Sequence, residues 1–420
     1  MIPLREARQL VLGSCPRLPP RVLAVAEALG CVVAEGVVSE VEIPPFANSQ
    51  MDGYAVRAAE TAGAPVTLPV DGSTLAGMAP GPALAPGTAR RIMTGAPLPE
   101  GADAVVMVER TRPGPTSGEV VVEEAVLPGT FVRPPGGDVR IGQEVIPAGT
   151  VIRAGQIGVL ASLGRRTVLV VGRPRVGVLS TGDELVLPPA PLGPGQIRDA
   201  NRPALLAALS QAGADPVDLG LVPDDTAAIT GAILRAAQRC DAVVVSGGVS
   251  VGDADLVSAA LAGLCGDSVR WLQIAIRPAK PFAFGVTRED GIPVFGVPGN
   301  PVSALVSFEL LVRPALRQMA GHSDLDRSVV AARAGEDLTR RPDGKTHFQR
   351  VLLGVGEDGG VIATGSGPQE SHVLQAMARA EGLAVLPDGE GARAGETVAV
   401  MVLDPEGLAA RTPSGIGVPW

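Results

Sequence analysis

Between about residues 174 and 320 the sequence alternates short apolar runs with segments of helical period, and this alternation constrains the fold more than any other feature. Arg175-Val176-Gly177-Val178-Leu179-Ser180 reads as a buried strand. Asn201 can cap a helix that has Pro203 in its first turn, Leu205, Leu206 and Leu209 on one face, and Gly213 after it. A strand at Val217–Leu221, a helix carrying Ile229, Ile233 and Leu234, and a strand through Asp241-Ala242-Val243-Val244-Val245 follow. Then come a Gly-rich turn, a helix from Asp253 to Leu264, strands at Trp271–Ile276, Phe282–Val286 and Ile292–Val297, and a long helix from near Val302. Strand and helix in turn predict an α/β unit with a mostly parallel sheet, because parallel neighbours need a crossover between them.

The flanks have other rhythms. In residues 1–42, Leu10, Val11, Val22, Leu23, Val25, Ala26 and Leu29 fall at helix-like spacings, with Gly30 as a stop. Residues 43–138 read as a small β module, with runs at Val66-Thr67-Leu68, Ala104–Val108 and Val120-Val121-Val122 between Gly/Pro turns. Residues 139–173 offer a strand, a turn and a helix that would pack back on the N-terminal helices, giving a discontinuous helical/mixed domain of 1–42 and 139–173. The α/β domain takes 174–322. A terminal β-barrel takes 323–407, on Phe348–Val355, Val361-Ile362-Ala363, Leu383–Leu386 and Thr397–Leu403, and 408–420 form a loose tail.

Composition excludes several functions. The 420 residues carry 35 Lys+Arg against 44 Asp+Glu, a formal net charge of −9, which argues against a general nucleic-acid or anionic-membrane binder. Only 2% are aromatic, too few for base-stacking platforms, so the cores are expected to be Val, Leu, Ile and Ala. The longest uncharged stretch, Gly291 to Phe308, is interrupted by Pro293, Pro298 and Pro301 and does not read as a membrane span. The N-terminus does not read as a signal peptide. Cys15, Cys31, Cys240 and Cys265 have no C-x-x-C spacing, and His322, His347 and His372 lie far apart. A reducing cytoplasm with neither a disulfide framework nor a zinc site is the expectation.

In open α/β sheets ligands bind beyond the carboxyl ends of the strands. Three loops fall there. Ser180-Thr181-Gly182-Asp183-Glu184-Leu185 presents hydroxyls and carboxylates suited to Mg²⁺ or proton transfer; the alternative is a capped turn with solvated acids. Ser246-Gly247-Gly248-Val249-Ser250-Val251-Gly252-Asp253-Ala254-Asp255 can turn backbone N–H groups onto a phosphate with acids adjacent, although it is neither a P-loop nor a G-x-G-x-x-G fingerprint. Val297-Pro298-Gly299-Asn300-Pro301-Val302-Ser303 is a rigid loop before a helix, with Arg277-Pro278-Ala279-Lys280-Pro281 supplying two cations near the same edge; an ordinary turn with surface charges is the competing reading.

Two further patches read as turns by themselves: Phe46-Ala47-Asn48-Ser49-Gln50-Met51-Asp52-Gly53-Tyr54-Ala55 and Arg91-Ile92-Met93-Thr94-Gly95-Ala96-Pro97. Taken in order with the three loops, they make a series that resembles the molybdopterin molybdenumtransferases, the family of bacterial MoeA and the gephyrin E-domain, over about residues 1–405. The resemblance implies a four-domain, dimeric enzyme of molybdenum cofactor biosynthesis. It would insert molybdate into adenylated molybdopterin with release of AMP and a requirement for Mg²⁺. It implies catalytic roles for Asp52, Thr94, Glu184, Asp224 and Asp255, with Asp52 and Thr94 reaching a shared site from the second subunit of a homodimer. Ser246, Gly247, Gly248, Ser250, Gly252, Pro298 and Pro301 would hold the substrate and its phosphate. Arg277, Lys280 and Ser303 would hold the molybdate, and Asp183, Glu184 and Asp255 the cation.

The family often has Lys-Pro-Gly-Lys-Pro where this chain has Arg277-Pro278-Ala279-Lys280-Pro281, so both the shape of one cation and the freedom of the backbone differ, and tungstate stays open as an alternative oxyanion. A non-catalytic pterin carrier or scaffold on the same fold is the alternative function. An adenylyltransferase is a further reading that the extra domains disfavour.

Overall fold

The computed structural model describes residues 1–248, 256–405 and 407. They divide into two compact units. One holds residues 1–21, 30–32 and the chain from 171 onward; the other holds residues 22–29 and 33–170.

The first unit is built on a six-stranded sheet among the described residues, in the order Asp215–Val222, Arg175–Thr181, Ala242–Ser246, Pro293–Val297, Pro281–Val286, Arg270–Gln273. The first four strands are parallel and the last two antiparallel. Every residue of Ala242–Ser246 and of Pro293–Val297 is buried, as expected of central strands covered on both faces. Helices Asn201–Gln211 and Pro301–Ser307 cover one face. The latter runs on through a π-helical turn (Phe308–Val312) into Arg313–Met319. Thr226–Ala237 and Leu256–Cys265 cover the other face. The amino-terminal helix Leu4–Gly13 packs Ala7 and Val11 into the first core. Phe282, Phe284, Phe295 and Phe308 are almost wholly buried there, each contributing roughly 1.5–3 kcal/mol.

The same unit ends in a closed barrel. Strand Thr346–Val355 pairs with both Val361–Gly365 and Gly382–Leu386; Thr397–Val402 and Val329–Ala334 complete the ring. Ile276-Arg277 adds in parallel to the start of Thr346–Val355, setting Arg277 opposite His347. This short pairing ties the barrel to the edge of the sheet.

In the second unit, Ala104–Met107, Gly53–Val56, Ala89–Ile92, Val66–Thr74, Glu119–Val122 and Thr111–Pro113 form one sheet in that order. Beside it, Val37–Val38 pairs with Glu144–Ile146, and the helix Ala154–Ser162 follows. Gly53 has no alternative, because a Cβ there would lie 1.9 Å from the Val106 carbonyl oxygen.

Three expectations change. The helical spacing over residues 1–42 holds only for Leu4–Gly13. Pro16, Pro19 and Pro20 stop it, Val22 and Leu23 lie in the strand Pro20–Ala24, and Val25 and Ala26 lie in a single 3-10 turn, Val25–Glu27. The two patches read as turns are partly strand: Gly53-Tyr54-Ala55 belongs to the strand Gly53–Val56 and Arg91-Ile92 to Ala89–Ile92, and these lie side by side within the β module. Asn201 is already helical; the carboxylate that accepts from the first turn is Asp199, bonded to the Arg202 N–H at 3.1 Å.

Candidate active site

The parallel strands end together. Their register sets Ser180 beside Ser246, and Ser246 beside Val297, so the loops leaving all three begin at one level. These loops line a cavity of about 230 Å³. Asn201 fastens two of them: its Nδ2 donates to Ser246 Oγ (2.8 Å) and to the Gly299 carbonyl (2.7 Å). Asp199, with no exposed side-chain surface, accepts from Ser180 Oγ (3.1 Å) and from Arg202 Nε (2.9 Å), fixing the third. Glu184 and Asp224 line the opening, with Arg198 the one cation among the described lining residues. The adjacent acids 224 and 225 divide the work. Asp225 caps the helix Thr226–Ala237 by accepting from the Ala228 N–H at 2.7 Å, which leaves the Asp224 carboxylate to the cavity.

The floor is made of backbone. Gly247 and Gly248 have φ of +103° and +61°. A Cβ on Gly247 would lie 2.5 Å from the Thr181 carbonyl oxygen, and one on Gly248 2.6 Å from the Val257 side chain, so only glycine leaves the space open. Thr181 Oγ1 is buried with no hydrogen-bond partner among the described residues, a hydroxyl left over for a ligand.

No group of three or more His, Cys, Asp or Glu suited to a metal occurs among the described residues. The Mg²⁺ implied by the resemblance nevertheless fits. Such an ion is usually held by one or two carboxylates with waters and substrate phosphate, and Glu184 supplies such a carboxylate beside an unpartnered hydroxyl, with Asp224 lining the same cavity. Asp183 faces the same side, accepting from the Asp224 N–H at 3.3 Å.

A second cavity, about 470 Å³, opens on the other side of the Pro298–Pro301 loop, between the sheet edge and the barrel. Arg277, Lys280 and Ser303 line it, and so does Pro298. Neither Arg277 nor Lys280 has a side-chain partner among the described residues, so both charges are free for an anion. The barrel adds Lys345 and His372, against a single carboxylate, Glu370. Ala279, between the two cations, stands at φ +76°, a conformation that suits glycine.

The expected residues therefore sort into two groups. Glu184, Asp224, Ser246, Gly247, Gly248 and Pro301 meet at the first cavity; Pro298, Arg277, Lys280 and Ser303 meet at the second. Ser250, Gly252 and Asp255 lie outside the described residues. Asp52 and Thr94 belong to the other unit. There the pairing of Gly53 with Ile92 brings them together, and both the Thr94 N–H and Oγ1–H donate to Asp52 Oδ1 at 2.7 Å. These bonds from Thr94, backbone first, hold the Asp52 carboxyl below its ordinary range.

Sequence reasoning missed Asp199 and the true use of Asn201, for which the polar run Asp199-Ala200-Asn201-Arg202 ahead of an apolar helix was the available signal. It also missed Lys345 and His372, which no local pattern marks.

Comparison with known proteins agrees along most of the chain. The family model described as MoeA N-terminal region (domain I and II) matches residues 2–164. The one described as probable molybdopterin binding domain matches 177–318, and MoeA C-terminal region (domain IV) matches 331–403. Molybdopterin molybdenumtransferase 2 of Mycobacterium tuberculosis is 40% identical over 92% of this chain and 95% of its own. Molybdopterin molybdenumtransferase of Haemophilus influenzae is 37% identical over 95% and 98%. The crystal structure of a molybdopterin biosynthesis MoeA protein from Pyrococcus horikosii superposes with a TM-score of 0.79 at 33% identity, over 96% of this chain and 99% of that one. The chain belongs to the molybdopterin molybdenumtransferase family, transferases of molybdenum cofactor biosynthesis.

Proposed function

We propose that the protein inserts molybdate into adenylated molybdopterin and releases AMP. The observation that carries this reading is the pair of cavities on either side of the Pro298–Pro301 loop, one acidic and floored with glycine, the other cationic. Each suits one substrate. The phosphate anhydride of the adenylated pterin meets the glycine floor at Gly247 and Gly248, beside the unpartnered Thr181 hydroxyl, with Pro301 closing the side. Molybdate, a tetrahedral dianion, is gripped by Arg277, Lys280 and Ser303. Water cleaves the anhydride and AMP departs, while the pterin's two thiols displace oxygen from molybdate, which leaves as water with the thiol protons; no protein cysteine is required, and the four cysteines are all buried.

Glu184, with Asp183 and Asp255, would hold the divalent cation, and Asp224 would orient the substrate beside it. When bound, such a cation neutralises charge developing on the phosphate. Asp52 and Thr94 are assigned to the site of a second subunit in a homodimer. Their support is the exposed Asp52 carboxylate, ionised and aimed by its two bonds from Thr94. We place the protein in the cytoplasm; none of the helices among the described residues is long and apolar enough to cross a membrane.

The test is to mix the protein with adenylated molybdopterin, Mg²⁺ and molybdate and follow AMP. Molybdate-dependent release that stops when the divalent cation is chelated is expected. Tight pterin binding without release would instead establish the carrier.

A further inference from the structure

The turn leading into Thr346–Val355 carries one carboxylate in contact with three basic side chains. Asp343 Oδ2 accepts from Lys345 Nζ at 3.0 Å; Oδ1 accepts from Arg340 Nη2 at 2.9 Å and lies 3.1 Å from His347 Nε2. The three partners are not equally dependent on it. Arg340 has no exposed side-chain surface and also donates to Asp388 Oδ1 at 2.6 Å and to the carbonyls of Lys345, Leu386 and Pro387. His347 is fixed within the strand, opposite Leu386 and Arg277. Lys345 has no other side-chain partner among the described residues, and it lines the cationic cavity with 21% of its side chain exposed.

An ammonium on a flexible four-carbon stem has much rotamer freedom and is restrained only by what holds it. One of its three N–H groups goes to Asp343; two remain for a ligand. Arg277 and Lys280, by contrast, each precede a proline, Pro278 and Pro281, that stiffens the backbone beside them.

We propose that Asp343 is a positioning residue for the oxyanion: by restraining the Lys345 ammonium at the cavity wall, it presents a third cation to the anion beside Arg277 and Lys280. The inference rests on the assignment of this cavity to molybdate. Asp343 itself touches no substrate in this account; it acts through Lys345. Burial alone would push its carboxyl up, but the hydrogen bonds from Lys345 and His347 outweigh this and bring it down to about 2, so it is ionised wherever the enzyme works.

The experiment is a double-mutant cycle on the full chain: wild type, Asp343→Asn, Lys345→Met and the double variant, with AMP release followed against molybdate concentration. Each single substitution is expected to raise KM for molybdate by about tenfold, as loss of a restrained charged contact does, with kcat within about twofold. The double variant is expected to be no worse than the worse single one, since both remove the same held ammonium. Asp343→Glu should recover part of the loss, and Asp343→Ala takes the place of Asp343→Asn in the cycle if that variant does not fold. KM effects that multiply in the double variant, or an Asp343→Asn enzyme with unchanged KM, would overturn the inference. If wild-type AMP release does not depend on molybdate, the assignment of the reaction has failed instead. Calorimetric titration of molybdate into the same four proteins then decides the role of Asp343 by the same non-additivity.

Discussion

The two cavities of the larger unit share a wall and differ in almost everything else. The acidic one is the standard product of a parallel sheet. Parallel strands in register end at one level, and the loops leaving them carry glycine and carboxylate. Its polar groups are tied by bonds between loops, through Asn201 and Asp199, so its geometry follows from the sheet itself. The cationic one depends on closure of a second domain. Two of its cations come from a proline-flanked loop at the sheet edge, and the third from the barrel, held by a carboxylate of the barrel. The difference teaches that a cavity can be inherited from one fold or assembled at the joint of two. A reaction that joins a nucleotide-bearing substrate to a small dianion has a use for both.

Substitutions that affect only one cavity sharpen the contrast. The largest effect is expected at the acidic side, where Glu184→Gln should lower kcat for AMP release by about a hundredfold or more, the scale of several kcal/mol of charge stabilisation. An unchanged kcat would remove Glu184 from the chemistry. On the cationic side Lys280→Met should raise KM for molybdate about tenfold and leave kcat close to wild type, since it removes one charged contact; a fall in kcat alone would break the division.

Gly247→Ala tests the floor. The new methyl meets the Thr181 carbonyl at 2.5 Å with the backbone at φ +103°. A loss of about 1–3 kcal/mol on chemical unfolding is expected, with weaker nucleotide binding and unaltered molybdate affinity. The smallest effect concerns acid. A carboxyl whose folded value is depressed stabilises the protein above its unfolded value and loses that contribution as pH falls through the folded one. Asp343, held at about 2 against an ordinary 3.8, should therefore make the barrel lose stability as pH drops from about 4 toward 2. Thermal unfolding of Asp343→Asn across that window should show a shallower dependence.

The legibility of the sequence divides along the same line. The α/β core was readable because its central strands are continuous apolar runs and its helices repeat at a longer period, so period separates them. The loops of the acidic cavity were readable because strand ends locate them. Gly53–Val56 and Ala89–Ile92 were not: a four-residue strand containing glycine, and one containing two arginines, look like turns until their partners are known. The strand Pro20–Ala24 was hidden because Val22, Leu23 and Val25 happen to continue the spacing of the preceding helix. Lys345 and His372 were invisible for a stronger reason. They join Arg277 and Lys280 only through the three-dimensional pairing of Ile276-Arg277 with Thr346-His347, some seventy positions away in sequence.

The central claim is that the two cavities take different ligands. It is tested most directly by calorimetric titration of molybdate and, separately, of AMP with Mg²⁺ into wild type, Glu184→Gln and Lys280→Met. The account predicts that Lys280→Met loses affinity for molybdate alone and Glu184→Gln for Mg²⁺-AMP alone. Loss of both ligands in either variant, or loss of molybdate in Glu184→Gln with Lys280→Met unaffected, would contradict it.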